Sequence, residues 1–195
     1  GKLPTNTEFQ MFQSILADAC SLPEGFNENV IFNAPSGNVM NQLARCVLAL
    51  YAYDPTPDDL GPENLLRQSI ELVARFPLIV ANAYAVNRHF LSNKSLYIHN
   101  PKASLSVAEN FLRMVRKDKS YTPEEARLLD LMLILHAEHG GGNNSTFACR
   151  AVSSTGTDTY SAIAAAVASL KGPLHGGANT KVIHQFADIK EHVRH

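Results

Sequence analysis

Along most of the chain, apolar residues recur at intervals of three and four, the spacing that lines one face of a helix. Val39, Met40, Leu43, Cys46, Val47 and Leu50 form one such stripe and predict a helix over 38–53, with Ser36 as its N-cap and Pro55 and Pro57 closing it. A longer stripe over 63–89 runs through Leu65, Leu66, Ser69, Ile70, Val73 and Ala74. Pro77 lies inside it, lacks an N–H and crowds the preceding turn, so a kink or break is expected there. Leu96, Tyr97, Ile98 and His99 alternate too briefly to anchor a sheet, and 91–100 reads as a loop or a small hairpin.

Helical spacing returns over 104–115. Thr122-Pro123-Glu124-Glu125 then supplies a helix start: an N-cap threonine, proline at the first helical position and a carboxylate three residues on. That helix should run to 136–139 and stop at Gly140-Gly141-Gly142. Residues 145–154 and 159–171 read as two helices split by Thr155-Gly156-Thr157, and a last helix should start near His175 or Gly176 and continue to the chain end. Within the second of these pairs, 161–169 is alanine-rich (SAIAAAVAS), which suits a central helix packed closely on all sides, or one crossing its copy at a dimer axis. With no run of strands, the expected fold is all-α, one domain of eight or so helices.

Composition narrows the function classes. A length of 195 residues suits one domain, and 45% hydrophobic against 18% charged residues provides for a core. A net charge of −1 carries no footprint of a general nucleic-acid or polybasic membrane binder. Cys20, Cys46 and Cys149 are odd in number and far apart, which argues against a disulfide scaffold or a CxxC metal site and suits the cytoplasm. No apolar run approaches the roughly 20 residues of a membrane span, and no charge–apolar–small pattern reads as a signal peptide. The chain opens without Met and closes inside a helical pattern, from which a piece of a longer protein is expected.

Candidate chemistry concentrates on histidines. His89, His99, His184, His192 and His195 lie in polar or terminal contexts and need no functional reading. In His136-Ala137-Glu138-His139-Gly140-Gly141-Gly142-Asn143-Asn144-Ser145, by contrast, a helix ends in three glycines that let a ligand approach the backbone. His139 would lie in the negative end of the helix dipole, which favours imidazolium, a good donor to a carboxylate or polarised carbonyl. Asn143 adds donors just past the turn. Together these suggest an anionic small-molecule site, with a simple helix C-cap as the plainer alternative. A metal set of His136, Glu138 and His139 is weakly supported, because the spacing is not HExxH.

The second unusual setting is Lys171-Gly172-Pro173-Leu174-His175-Gly176-Gly177-Ala178-Asn179. A tight turn is expected to place His175 at the start of a helix, where positive potential disfavours imidazolium. A neutral imidazole there donates to a carbonyl without first giving up a proton. The two motifs thus suggest opposite tuning, a cationic His139 and a neutral His175.

The segments HAEHGGGNNSTF and GPLHGGAN, with a Gly-Thr-Asp turn and an alanine-rich helix between them, closely resemble the paired histidine motifs of citrate synthase. Upstream, APSGNVMNQLARCVLALYAYDP, RQSIELVARFPLIVANAYAVNRH and SLSVAENFLRM resemble the large helical domain of bacterial-type members. The resemblance covers nearly the whole chain. It implies an almost purely helical homodimer, in which helices over 38–51 and 160–171 pair across the subunits, and no cofactor beyond the substrates. It implies a condensation in which acetyl-CoA loses a methyl proton, the enol attacks the ketone of oxaloacetate, and water cleaves the thioester to give citrate and CoA. On matched positions His139 resembles the histidine that binds oxaloacetate and polarises its ketone, Asn143 the asparagine that fixes that end of the site, and His175 the histidine that stabilises the enol.

One departure qualifies this. The family's carboxylate base, a third histidine and the arginines that clamp the substrate lie beyond the second motif. Here 20 residues follow His175, with a single Asp188, Glu191 and Arg194, none in a matching motif. The expectation is therefore a truncated large domain without the small domain, catalytically incomplete by itself. The alternatives are 2-methylcitrate synthase, which would take propionyl-CoA, and a non-catalytic helical dimerisation or regulatory module.

Overall fold

The computed structural model describes residues 2–138 and 140–193. Among these residues all regular structure is helical: α1 (Asn6–Ala19), α2 (Val39–Leu50), α3 (Pro62–Ser92), α4 (Val107–Val115), α5 (Pro123–His136), α6 (Asn144–Ser153), α7 (Thr159–Lys171) and α8 (Ala178–His192), with a π-helical turn at Asn27–Phe32 and a 3-10 turn at Tyr51–Tyr53.

Short polar side chains set the helix starts. Thr5, Ser106 and Thr122 form reciprocal capping boxes with Glu8, Glu109 and Glu125. Asn38, Asn143 and Asp158 each accept from amides of the first turn of α2, α6 and α7. For α2 this corrects the expected cap. Asn38 Oδ1 takes the Asn41 amide at 2.9 Å, while Ser36 lies two residues early, its amide donating to Asn87 Oδ1 at 3.1 Å. The first helix after the glycine run starts at Asn144, one residue earlier than the apolar pattern suggested, and α4 starts at Val107, three residues later.

Pro77 does not break α3, which continues for 31 residues to a left-handed Asn93 cap. Proline removes one hydrogen bond, but Leu72, Leu78 and Ile79 on either side are buried, and that packing holds the helix continuous. The length and composition of α3 would also let it cross a membrane, contrary to the expectation that no such run exists. It is the helix against which α1, α2, α4 and α7 pack, with Arg67, Glu71 and Arg75 in its first half, so it reads as a core helix. Residues 93–104 contain no strand. They lie along α4, with the Tyr97 hydroxyl donating to the Val115 carbonyl at 2.7 Å and His99 Nε2 3.2 Å from the Lys117 carbonyl.

The core sits between α2, α3, α7 and the π-helical turn. Phe26, Ile31, Val47, Leu50, Ile79, Val86 and Tyr160 are all nearly or wholly excluded from solvent. The alanines of α7 let α2 and α6 pack against it, with Ala162 and Val167 buried. A polar hub closes one end of this core. Asp54, its side chain 2% exposed, accepts from Tyr160, Gln68, Arg67 and the Thr56 amide, and Gln68 accepts in turn from Thr159.

Candidate active site

The two histidine motifs meet at the N-terminus of α6. Asn143 is its N-cap, and its Oδ1 accepts from the Ser145 amide at 2.9 Å and the Thr146 amide at 3.3 Å. Its carbonyl oxygen is thus committed to the helix, while its Nδ2 donates to no described residue. Asn144 Nδ2 reaches Ser169 Oγ at 2.6 Å and fastens this end of α6 to the last turn of α7. Just beyond, residues 172–177 fold back in a turn closed by the His175 and Gly176 amides, both donating to the Gly172 carbonyl.

That turn brings His175 Nε2 to 2.8 Å from Ser145 Oγ, across 30 residues of sequence. His175 is half-buried and lies in the turn, two residues before the Gly177 cap of α8. This corrects the expectation that it opens the last helix. The helix N-terminus beside its ring belongs to α6, reached through Ser145. Sequence reasoning passed over Ser145, although it lies inside the first motif, two residues after Asn143.

Packing explains the glycines after His175. A Cβ at Gly176 would stand 1.8 Å from the Leu170 carbonyl oxygen, and one at Gly177 2.4 Å from the Pro173 oxygen. Contacts that short are excluded for any side chain, so the turn closes only with glycine at both positions.

Ahead of the site in sequence, α5 ends at His136, whose Nδ1 lies 2.7 Å from the Met132 carbonyl. The Glu138 carboxylate accepts from the amide of Gly140, whose φ of +74° suits glycine. His139 lies outside the described residues. Among the described residues no three His, Cys, Asp or Glu side chains are grouped to hold a metal ion. Asp188 and Glu191 sit exposed on α8, Asp188 Oδ1 lying 3.2 Å from His192 Nδ1. Neither described carboxylate is hydrogen-bonded to His175.

Comparison with known proteins identifies the family. Residues 1–194 match the family "Citrate synthase, C-terminal domain". Citrate synthase of Deinococcus radiodurans is 39% identical over 96% of this chain and 48% of its own length. The citrate/2-methylcitrate synthase of Bacillus subtilis is 33% identical over 97% of this chain and 49% of its own. The crystal structure of Thermoplasma acidophilum citrate synthase in ternary complex with carboxymethyl coenzyme A and oxaloacetate superposes with a TM-score of 0.83 at 31% identity, covering 97% of this chain and 48% of that one. The chain spans about half the length of the relatives it matches. From its sequence, its all-helical architecture and its paired motifs at α6, the chain belongs to the citrate synthase family.

Proposed function

We propose that the protein carries the histidine pair of an enzyme that joins acetyl-CoA and oxaloacetate to give citrate and CoA. The observation behind this reading is the 2.8 Å contact between His175 and Ser145, which joins the second motif to the helix capped by Asn143. In the reaction a methyl C–H of acetyl-CoA is broken, the enol carbon bonds to the ketone carbon of oxaloacetate, and water cleaves the thioester, releasing CoA as its thiol. Charge develops on the thioester oxygen and then on the ketone oxygen. Each needs a donor already in place, because a thioester α-proton is very weakly acidic. His139 and His175 are assigned to those two oxygens, with Asn143 and His139 on the oxaloacetate side.

Ser145 holds one ring nitrogen of His175 and leaves Nδ1 as the atom that meets substrate. The Gly176-Gly177 turn fixes the ring's position, since two reactants must be held in register for attack. Acetyl-CoA and oxaloacetate are the small-molecule partners, and no cofactor beyond them enters the chemistry. On this reading the protein is a homodimer and a cytoplasmic enzyme of the tricarboxylic acid cycle. With no carboxylate hydrogen-bonded to His175 among the described residues, the 195-residue chain by itself is expected to be inactive.

A second reading, 2-methylcitrate synthesis from propionyl-CoA, is favoured by the likeness to the Bacillus subtilis enzyme named for both products. The test supplies oxaloacetate with methyl-labelled acetyl-CoA, or with propionyl-CoA, to a chain of the relatives' full length that contains this segment. Labelled citrate supports the first reading, and methylcitrate as the dominant product supports the second. Neither product would leave the segment a non-catalytic helical module.

A further inference from the structure

A serine inside a helix usually donates its hydroxyl proton to a carbonyl three or four residues back. Ser69 does so to the Leu65 carbonyl at 2.7 Å, and Ser153 to the Arg150 carbonyl at 3.3 Å. Ser145 is placed differently. It is the second residue of α6, so the residues three and four back, Gly142 and Gly141, precede the helix. A helix start presents amides to its surroundings, not carbonyls. Two of those amides, of Ser145 and Thr146, are taken by Asn143 Oδ1. Among the described residues the Ser145 hydroxyl has one hydrogen-bond partner, His175 Nε2 at 2.8 Å.

We propose that Ser145 is a positioning residue whose hydroxyl donates to His175 Nε2 and so holds the neutral imidazole in the tautomer protonated at Nδ1. With no helical carbonyl to accept it, the hydroxyl proton goes to nitrogen. The positive end of the α6 dipole lies beside the serine oxygen and strengthens it as a donor. A neutral imidazole carries one N–H. With Nε2 accepting, that N–H is on Nδ1, which has no hydrogen-bond partner among the described residues.

The choice of tautomer decides the sign of the interaction with a substrate. An N–H at Nδ1 attracts a carbonyl oxygen on which charge develops, whereas the other tautomer presents a lone pair there and repels it. Ser145 thereby fits His175 to substrates that offer a carbonyl oxygen. This consequence rests on the condensation proposed above; the tautomer itself does not.

The first test is a two-bond proton–nitrogen NMR spectrum of the 195-residue chain carrying 15N-labelled histidine, with the His175 signals assigned by their loss in His175→Ala. It is recorded at about pH 9, well above the ordinary imidazole value of about 6.5. A protonated Nδ1 and an unprotonated Nε2 are expected. Ser145→Ala should move the ring toward the Nε2–H form, Ser145→Thr should keep the Nδ1–H form, and Ser153→Ala, further along the same helix, should change nothing. A protonated Nε2 in the unaltered protein overturns the proposal without any variant. So does a tautomer that Ser145→Ala leaves in place, or one that Ser153→Ala moves equally.

The second test uses a chain of the relatives' full length. Ser145→Ala should lower kcat for citrate formation about tenfold or more with KM little changed, and Ser145→Thr should restore most of it. An active longer chain whose kcat is indifferent to Ser145→Ala would contradict the role in catalysis. A longer chain that makes no citrate would sink the condensation reading, while the ring spectrum still decides for or against Ser145.

Discussion

The Tyr160 hydroxyl donates to Asp54 Oδ2 at 2.7 Å, closing a contact across 106 residues of sequence. Tyr160 lies in the first turn of α7, Asp54 just past the 3-10 turn after α2, and Arg67 and Gln68 of α3 donate to the same carboxylate. One acidic side chain therefore fixes the mutual register of three core helices. α7 also carries, at its far end, the Ser169 that holds the start of α6 and the turn that holds His175.

That carboxylate makes stability depend on pH. Burial would raise its pKa, but donation from Tyr160, the Thr56 amide, Gln68 and Arg67 outweighs burial and holds Asp54 at about 2, against an ordinary value of 3.8. A depressed folded-state pKa contributes stability that is complete above the unfolded value and is lost as pH falls through the folded one. Urea titrations should therefore show constant stability from this group above about pH 5 and a loss of about 2 kcal/mol between roughly pH 4 and pH 2. Asp54→Asn should flatten that part of the profile. An unchanged acid limb in the variant would show that other groups control it.

Tyr160→Phe keeps the ring in the core and removes one donor. The remaining donors keep Asp54 ionised, so a loss of about 1–2 kcal/mol is expected from chemical denaturation. Pairing it with Asp54→Asn in a double-mutant cycle should give a coupling of about 1 kcal/mol, and a coupling near zero would mean that the 2.7 Å contact contributes nothing.

Pro77 sits inside a helix that runs through it. Pro77→Ala returns an amide donor to the preceding turn and removes the ring's steric conflict, while loosening the unfolded chain. The net expectation is a gain of about 1–2 kcal/mol, seen as a higher melting temperature. A lower melting temperature would show that the ring's own packing outweighs the lost hydrogen bond.

Much of this was legible from spacing. Thr122-Pro123-Glu124-Glu125 marks α5 because each residue type meets a requirement of a helix start, and α7 falls at Thr159–Lys171 as its pattern predicts. Ser36 misled because two cap-forming residues, Ser36 and Asn38, stand close together and only packing on Asn87 decides between them. α1 and the π-helical turn were not read at all. α1 has no buried residue, and the turn is too short for a period to show. In the site, Asn143 and His175 could be named from their motifs, but the serine that joins them could not. Its role depends on a contact across 30 residues, and no local pattern encodes that.

Gly176→Ala probes the turn that carries His175. The added methyl would meet the Leu170 carbonyl oxygen, so backbone must move and His175 must leave Ser145. Circular dichroism should show a fold close to the original, because α7 and the core lie before the turn. The NMR signal of the His175 ring should shift as its Ser145 contact is lost. A ring signal identical to that of the unaltered protein would contradict the steric reading.

The most direct test of the proposed chemistry follows release of the CoA thiol from acetyl-CoA and oxaloacetate. It compares three proteins: this chain, a chain of the relatives' full length that contains it, and the latter with His175→Ala. Release by the longer chain alone, reduced at least a hundredfold in kcat by His175→Ala, is the expected result. Undiminished release in His175→Ala would contradict the assignment of the site to His175. Turnover by the 195-residue chain would contradict the claim that it is catalytically incomplete and would make Asp188 and Glu191 the candidate bases.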